Sequence, residues 1–159
     1  MTINRFISVA IIFLAIQLNE GYAQVLSSKD IVDVSAQITG KEKPVLEIRL
    51  DIKDGWHINS NKPFDDYLTP TMVALKDSSY FSSLAIEYPE PDIENLAFSQ
   101  SELSLYRDQV TIMIKFRVKD KFEKKDLKIE GTVFYQPCND QSCLFPAKKA
   151  FSVIMKPQM

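Results

Sequence analysis

The chain has 159 residues, and its 19 Lys and Arg against 21 Asp and Glu give a formal net charge of −2 at pH 7. This near-neutral balance argues against nucleic-acid binding, which requires basic patches. The length corresponds to one ordinary domain with room for a sizeable core. The chain contains two cysteines, Cys138 and Cys143, and one histidine, His57.

The first 23 residues have the pattern of a cleavable secretory signal. A positive charge at Arg5 precedes a mostly apolar run from Phe6 to Leu18. This run has the length of a signal h-region and is shorter than the ~20 residues that span a bilayer. A small-x-small site ends at Ala23, so we predict cleavage there and a domain of residues 24–159. No later segment is long and apolar enough to span a membrane, and we expect export into an oxidising compartment without membrane insertion.

Apolar and polar residues alternate along much of the remaining chain with the period of two that is typical of half-buried strands. We predict strands at residues 30–38, 45–52, 56–59, 71–75, 84–88, 109–118, 127–136 and 150–155. The clearest apolar sets are Leu46, Ile48, Leu50 and Ile52 in one strand and Val110, Ile112, Ile114 and Phe116 in another. Short strands at this spacing, without a convincing amphipathic helix, predict an all-β antiparallel sandwich.

The longest stretch without a strand pattern runs from Pro89 to Ser104. Loops of this length in a compact domain are usually functional or disordered. Phe98 lies within it with no pattern to bury its ring, and Tyr106 stands just before the strand at 109–118. We expect both aromatics to need cover, and a nearby disulfide is a suitable apolar surface.

The two cysteines allow two interpretations. Cys138 and Cys143 have four residues between them in a polar loop bracketed by Pro137 and Pro146, so they can close on each other as a disulfide. Closing a six-residue ring stabilises a fold by only about 2 kcal/mol, less than a bridge between distant strands would. The residues alone leave open whether the pair is a structural staple or a redox-active reagent.

Other chemistry has little support. Structural zinc requires four ligands, mostly Cys and His, whereas His57 is far from the cysteines in sequence, so we expect no metal site. Gly-x-Ser-x-Gly is absent. Cys–His nucleophilic catalysis is disfavoured because a second cysteine so close would form a disulfide instead. His57, beside Trp56, is interpreted as a packed or surface residue that could still come near the cysteine loop.

Four stretches in order resemble the N-terminal periplasmic domain of the thiol:disulfide interchange protein DsbD, which also occurs as a stand-alone disulfide bond corrector domain. They are Asp54 to Ile58, Phe98, Ser101 to Asp108, and Tyr135 to Pro146. The last is the most specific, with Tyr-Gln-x-Cys, a short polar spacer, and a second Cys followed by Pro within three residues.

The resemblance implies an immunoglobulin-like sandwich without a cofactor that passes electrons in the periplasm. The electrons would come from a membrane reductase and go to oxidised thioredoxin-like proteins, an activity of the protein-disulfide reductase type. Cys143 would form the mixed disulfide with a partner and Cys138 would resolve it. Phe98 corresponds to the aromatic of a cap loop that shields the pair. The other aromatic and histidine positions expected to pack near the pair or tune it are Trp56, His57, Tyr106 and Tyr135.

The sequence also departs from the best-known members of that family. The spacer Asn139–Ser142 has four residues where those members have five. Leu96 and Ala97 stand where acidic residues accompany the cap aromatic, and Glu94 lies a little further off. The membrane-embedded and thioredoxin-like parts are not in this chain, so we expect a separate membrane reductase. The alternative function is a secreted β-sandwich binding module in which the disulfide is purely structural.

Overall fold

The alternating segments of the sequence form antiparallel strands in the computed structural model, which describes residues 27–40, 42–96 and 99–157. The signal-peptide prediction and Phe98 lie outside the described residues. The strands are β1 (Val32–Thr39), β2 (Val45–Ile52), β3 (His57–Asn59), β4 (Met72–Leu75), β5 (Phe81–Glu87), β6 (Asp92–Glu94), β7 (Leu103–Arg107), β8 (Gln109–Val118), β9 (Leu127–Tyr135), β10 (Pro137–Cys138) and β11 (Ala147–Met155). Short 3₁₀ turns occur at Ser28–Asp30 and Asp120–Phe122. Within the described residues, no helix has the length and apolar character needed to cross a membrane.

The strands form three antiparallel sheets, in the orders β1-β2-β8-β5, β10-β3-β7-β6 and β11-β9-β4. Their inner faces enclose one apolar core, which confirms the predicted all-β sandwich. At its centre, Ile48 lies opposite Ala36 on one side and Ile112 on the other. Ile48 and Ile112 are fully buried, and burial of one such side chain stabilises the fold by about 1.5–3 kcal/mol.

The prediction that residues 89–104 lack strands is wrong, because β6 and the start of β7 lie within this range. β6 is only three residues long and is an edge strand, so it is too short to show alternation. Residues Leu103 to Tyr106 of β7 are buried without interruption, and a strand covered on both faces loses its period of two. Tyr106 is consequently a buried strand residue rather than a loop aromatic that needs separate cover.

A single residue, Asp108, carries the chain from β7 in the second sheet to β8 in the first. Its φ of 53° lies in the left-handed region, which Asp tolerates better than most residues. Its carbonyl oxygen accepts a hydrogen bond from the amide of Ile52 at 2.6 Å. This sharp link holds Arg107 at the very end of β7, which is separated from the cysteine-bearing β10 only by β3.

Candidate functional site

The two cysteines face each other across a tight hairpin that continues from β9. Strand β9 leads through Gln136 into β10, which ends at Cys138, and the chain turns back at residues 139–142 to Cys143. Hydrogen bonds from Asn139 N to Ser142 O and from Leu144 N to Pro137 O lie on either side of the pair. The cysteines therefore occupy a non-hydrogen-bonded position, where antiparallel strands come closest. Their Cα atoms are 3.9 Å apart and a disulfide joins them.

The spacer sequence explains why the turn is so compact. The side-chain oxygen of Asn139 accepts hydrogen bonds from the amides of Gln141 and Ser142, at 2.9 and 2.8 Å. Asn readily forms such local side-chain bonds to the following backbone, which stabilise tight turns. The four-residue spacer thus closes as an ordered hairpin tip.

Gln136 fixes the base of this hairpin, a role that the sequence analysis missed. Its Oε1 accepts hydrogen bonds from Thr69 N at 3.1 Å and from Asn59 Nδ2 at 3.3 Å. Its Nε2 donates to the carbonyl of Leu144 at 3.2 Å. One side chain therefore ties the strand before Cys138 to the strand after Cys143 and to the adjacent loop. The Tyr-Gln-x-Cys pattern includes Gln136, but nothing in the pattern indicates the residues to which Gln136 forms hydrogen bonds.

The two cysteines differ in accessibility. Cys138 is only 1% exposed, whereas Cys143 is an exposed residue. Leu144 packs against the core, and the next residue, Phe145, is 88% exposed. Cys143 and Phe145 are therefore both exposed after the hairpin turn, whereas Cys138 is buried.

Cys138, His57 and Arg107 form a row across the second sheet. Cys138 is the register partner of His57, and His57 is the register partner of Arg107. Residues directly opposite on neighbouring strands present their side chains on the same face, with Cβ atoms about 4.5–5.5 Å apart. From the sequence, His57 could come near the cysteine loop, and the fold places it directly opposite Cys138.

The side chain of Arg107 connects this row to β6 and to the hairpin tip. It makes a two-pronged ion pair with Glu94, with Nε to Oε1 at 2.9 Å and Nη2 to Oε2 at 2.7 Å. It also lies 3.6 Å from a carboxylate oxygen of Asp140 in the spacer. The hydrogen bonds from Arg107 lower the pKa of the Glu94 carboxyl. The Tyr106-Arg107-Asp108 motif was recognised in the sequence, but this ion pair was not predicted.

His57 is buried without hydrogen bonds. It is 1% exposed, and neither ring nitrogen has a hydrogen-bond partner among the described residues. Burial, reinforced by the positive charge of Arg107, lowers the pKa of His57 to about 4, although the carboxylates of Asp140 and Glu94 oppose the shift. At neutral pH the imidazole is therefore uncharged.

The aromatics named from the sequence occupy different places. Tyr106 precedes Arg107 on β7 and lies opposite Ile58. Because successive strand residues point to opposite faces, its ring lies on the other face of the sheet from Arg107 and His57. Its hydroxyl donates to Asn61 Oδ1 at 2.8 Å. The Tyr135 hydroxyl is directed to the carbonyl of Ser28 at 3.4 Å, and burial raises its pKa to about 12. Trp56 is partly buried against the core. Among the described residues, no group of three or more His, Cys, Asp or Glu side chains is placed to hold a metal ion.

Fold and site together define a class of protein, a β-sandwich domain with a single disulfide at an accessible hairpin tip. The family model for "Thiol:disulfide interchange protein DsbD, N-terminal" matches residues 22–154. The chain belongs to this family, which confirms the resemblance found in the sequence, and it is a thiol–disulfide interchange domain with the cysteine pair present.

Two solved structures share the fold. The Neisseria meningitidis DsbD N-terminal domain in the reduced form superimposes with a TM-score of 0.54 and 12% identity, covering 84% of this chain and 96% of that one. The N-terminal periplasmic domain of ScsB from Proteus mirabilis gives 0.56 and 15% identity, covering 78% of this chain and 46% of that one. These likenesses support the immunoglobulin-like fold. No curated protein sequence matches the chain.

Proposed function

We propose that this chain is a periplasmic thiol–disulfide exchange protein that relays electrons from a membrane reductase to oxidised thioredoxin-like proteins. The observation that carries the proposal is the asymmetric disulfide, which joins an exposed residue, Cys143, to a buried one, Cys138. Membership of the DsbD N-terminal family supports it, and so does the periplasmic origin stated for the ScsB domain of similar fold.

The energetics favour a reagent over a staple. A six-residue ring contributes only about 2 kcal/mol by the loop-entropy estimate, which is comparable to the burial of one large apolar side chain. The core contains many such side chains, including Leu46, Leu50 and Ile114, which are fully buried. We therefore expect the fold to persist without this disulfide, so that the pair can open and close.

The proposed order of the exchange steps follows from the different exposure of Cys143 and Cys138. In the reduced protein, the Cys143 thiolate would attack a partner disulfide, form a mixed disulfide and release one partner thiolate. Cys138 would then lose its proton and attack the Cys143 sulfur, releasing the second partner thiolate and restoring the Cys138–Cys143 disulfide. Two electrons pass to the partner in each cycle. A dithiol of the membrane reductase would reload the pair by the reverse sequence.

Phe98 is proposed as the shield of the reduced pair. In sequence it falls between β6 and β7. Glu94, at the end of β6, contacts Arg107, which belongs to the same row as Cys138. An apolar cover would exclude small oxidants and raise the thiol pKa until a partner docks.

We expect Phe98→Ala to leave the circular dichroism spectrum unchanged and to speed oxidation of the reduced protein by a small disulfide about ten-fold. The exposed Met113 provides a control in Met113→Ala, and equal oxidation rates in all three proteins would contradict the shield.

The reduction potential of the pair tests the proposed function. A disulfide retained only for stability resists reduction by glutathione, whereas an exchanging pair comes to equilibrium with it. We expect the Cys138–Cys143 pair to come to equilibrium with glutathione. A pair that stays oxidised in reducing glutathione would instead indicate a static disulfide in a binding module.

A further inference from the structure

The unpartnered imidazole of His57 requires an explanation. Buried polar groups in folded proteins almost always have a hydrogen-bond partner, and exceptions often mark functional sites. His57 is nearly fully buried, and both of its ring nitrogens lack a partner within the described part of the chain. A neutral imidazole offers one N–H donor and one bare nitrogen acceptor, so two hydrogen bonds are unmade.

Neither neighbour of His57 in the row can satisfy both nitrogens while the disulfide is closed. Arg107 has no acceptor atom, and its Nε and Nη2 donate to Glu94. Cys138, on the other side, carries no proton when it is joined to Cys143. Of these two neighbours, reduction changes only Cys138, which then becomes a thiol, which can donate, or a thiolate, which can accept. A rotation of its χ1 to another staggered position would turn the sulfur from Cys143 towards His57.

We infer that His57 sets the redox equilibrium of the pair by forming a hydrogen bond to Cys138 only after the disulfide has been reduced. A dithiol supplies two electrons and two protons, the Cys138–Cys143 bond breaks, two thiols form, and the dithiol closes to its own disulfide. The bond from His57 stabilises the reduced product and so raises the reduction potential. This inference rests on the proposed function only in requiring that the pair is reduced and reoxidised.

The charges around His57 keep it suited to this role at neutral pH. The charged groups that face it are Arg107 on β7, Glu94 on β6 and Asp140 in the hairpin tip. Burial and Arg107 hold its pKa at about 4, so the ring is neutral over the range in which thiols exchange. It can then accept from a Cys138 thiol or donate to a Cys138 thiolate.

The test compares His57→Phe, which keeps the ring volume, with His57→Gln, which keeps a neutral donor and acceptor. Each purified variant is equilibrated at pH 7 with mixtures of reduced and oxidised dithiothreitol, and the reduced fraction is measured by alkylation and mass spectrometry. We expect His57→Phe to lower the equilibrium constant for reduction about five-fold, which corresponds to about 20 mV for a two-electron couple, and His57→Gln to restore most of it. An unchanged or raised constant in folded His57→Phe would overturn the inference.

A measurement on the unaltered protein covers the case in which the variants do not fold. His57 is the only histidine, so its ring nitrogen resonances need no assignment. We expect them to shift on reduction, as one nitrogen gains a hydrogen bond, and identical resonances in both redox states would overturn the inference. Because the reductant is a small dithiol, these results do not depend on whether thioredoxin-like proteins are the true partners. Failure of the relay and failure of the His57 role are therefore distinguishable.

Discussion

The Cys138→Ser variant is expected to accumulate mixed disulfides with an oxidised thioredoxin-like protein, whereas the Cys143→Ser variant forms essentially none. In Cys138→Ser the exposed Cys143 can still attack, but no second thiol remains to resolve the complex. In Cys143→Ser the remaining thiol belongs to Cys138, which is buried and lies opposite His57. The adducts can be counted by non-reducing electrophoresis and identified by intact mass.

The matched control for this experiment is the double variant Cys138→Ser/Cys143→Ser. It should fold and form no adduct, since removing the six-residue ring costs only about 2 kcal/mol. Equal trapping by the two single variants would reject the assignment of Cys143 as the exchanging sulfur. Trapping by Cys143→Ser alone would reverse the two roles.

The Phe145→Ala variant is expected to react about ten-fold more slowly with a thioredoxin-like protein disulfide. Phe145 is 88% exposed and lies two residues from the exposed Cys143, while the intervening Leu144 packs against the core. A partner that reaches the Cys143 sulfur would cover this ring. Full burial of a large apolar side chain stabilises by about 1.5–3 kcal/mol. Half of the upper value, about 1.5 kcal/mol, corresponds to about a ten-fold effect.

Stopped-flow measurement of the two exchange reactions, with the protein partner and with dithiothreitol, separates docking from chemistry. Phe145→Ala should change only the first, because a small dithiol needs no docking surface. Ile154→Ala provides the control, since Ile154 is also exposed but pairs with Lys128 at the other end of β9. A similar loss of rate in both variants, or a slower reaction of Phe145→Ala with dithiothreitol, would contradict a docking role.

The strands that are half-buried could be predicted from sequence, and those with another environment could not. β2 and β8 were predicted at their observed bounds because one face of each packs into the core and the other faces solvent. β7 is buried on both faces and β6 has three residues at an edge, so neither shows a period of two. β10 has two residues and begins with Pro137, which removes a ladder donor and argues against a strand in any local analysis.

The cysteine pair could be found from sequence, but its surroundings could not. The closeness of Cys138 and Cys143 in the chain was sufficient to predict a disulfide as one possibility. The burial of His57 and the ion pair between Arg107 and Glu94 depend on the register of β10, β3 and β7. That register is a property of the folded sheet and leaves no local pattern. From the sequence, Glu94 is only an acidic residue at some distance from Phe98, and its pairing with Arg107 cannot be predicted.

The reduction potential of the Cys138–Cys143 pair tests the central claim most directly. The protein is equilibrated at pH 7 in a series of glutathione and dithiothreitol redox buffers, and the oxidised fraction is determined by alkylation mass shift. An exchanging pair is predicted to have a potential above about −300 mV, within reach of dithiol partners. A value below about −300 mV, in a protein that folds normally, would identify a structural disulfide and contradict the proposed electron relay.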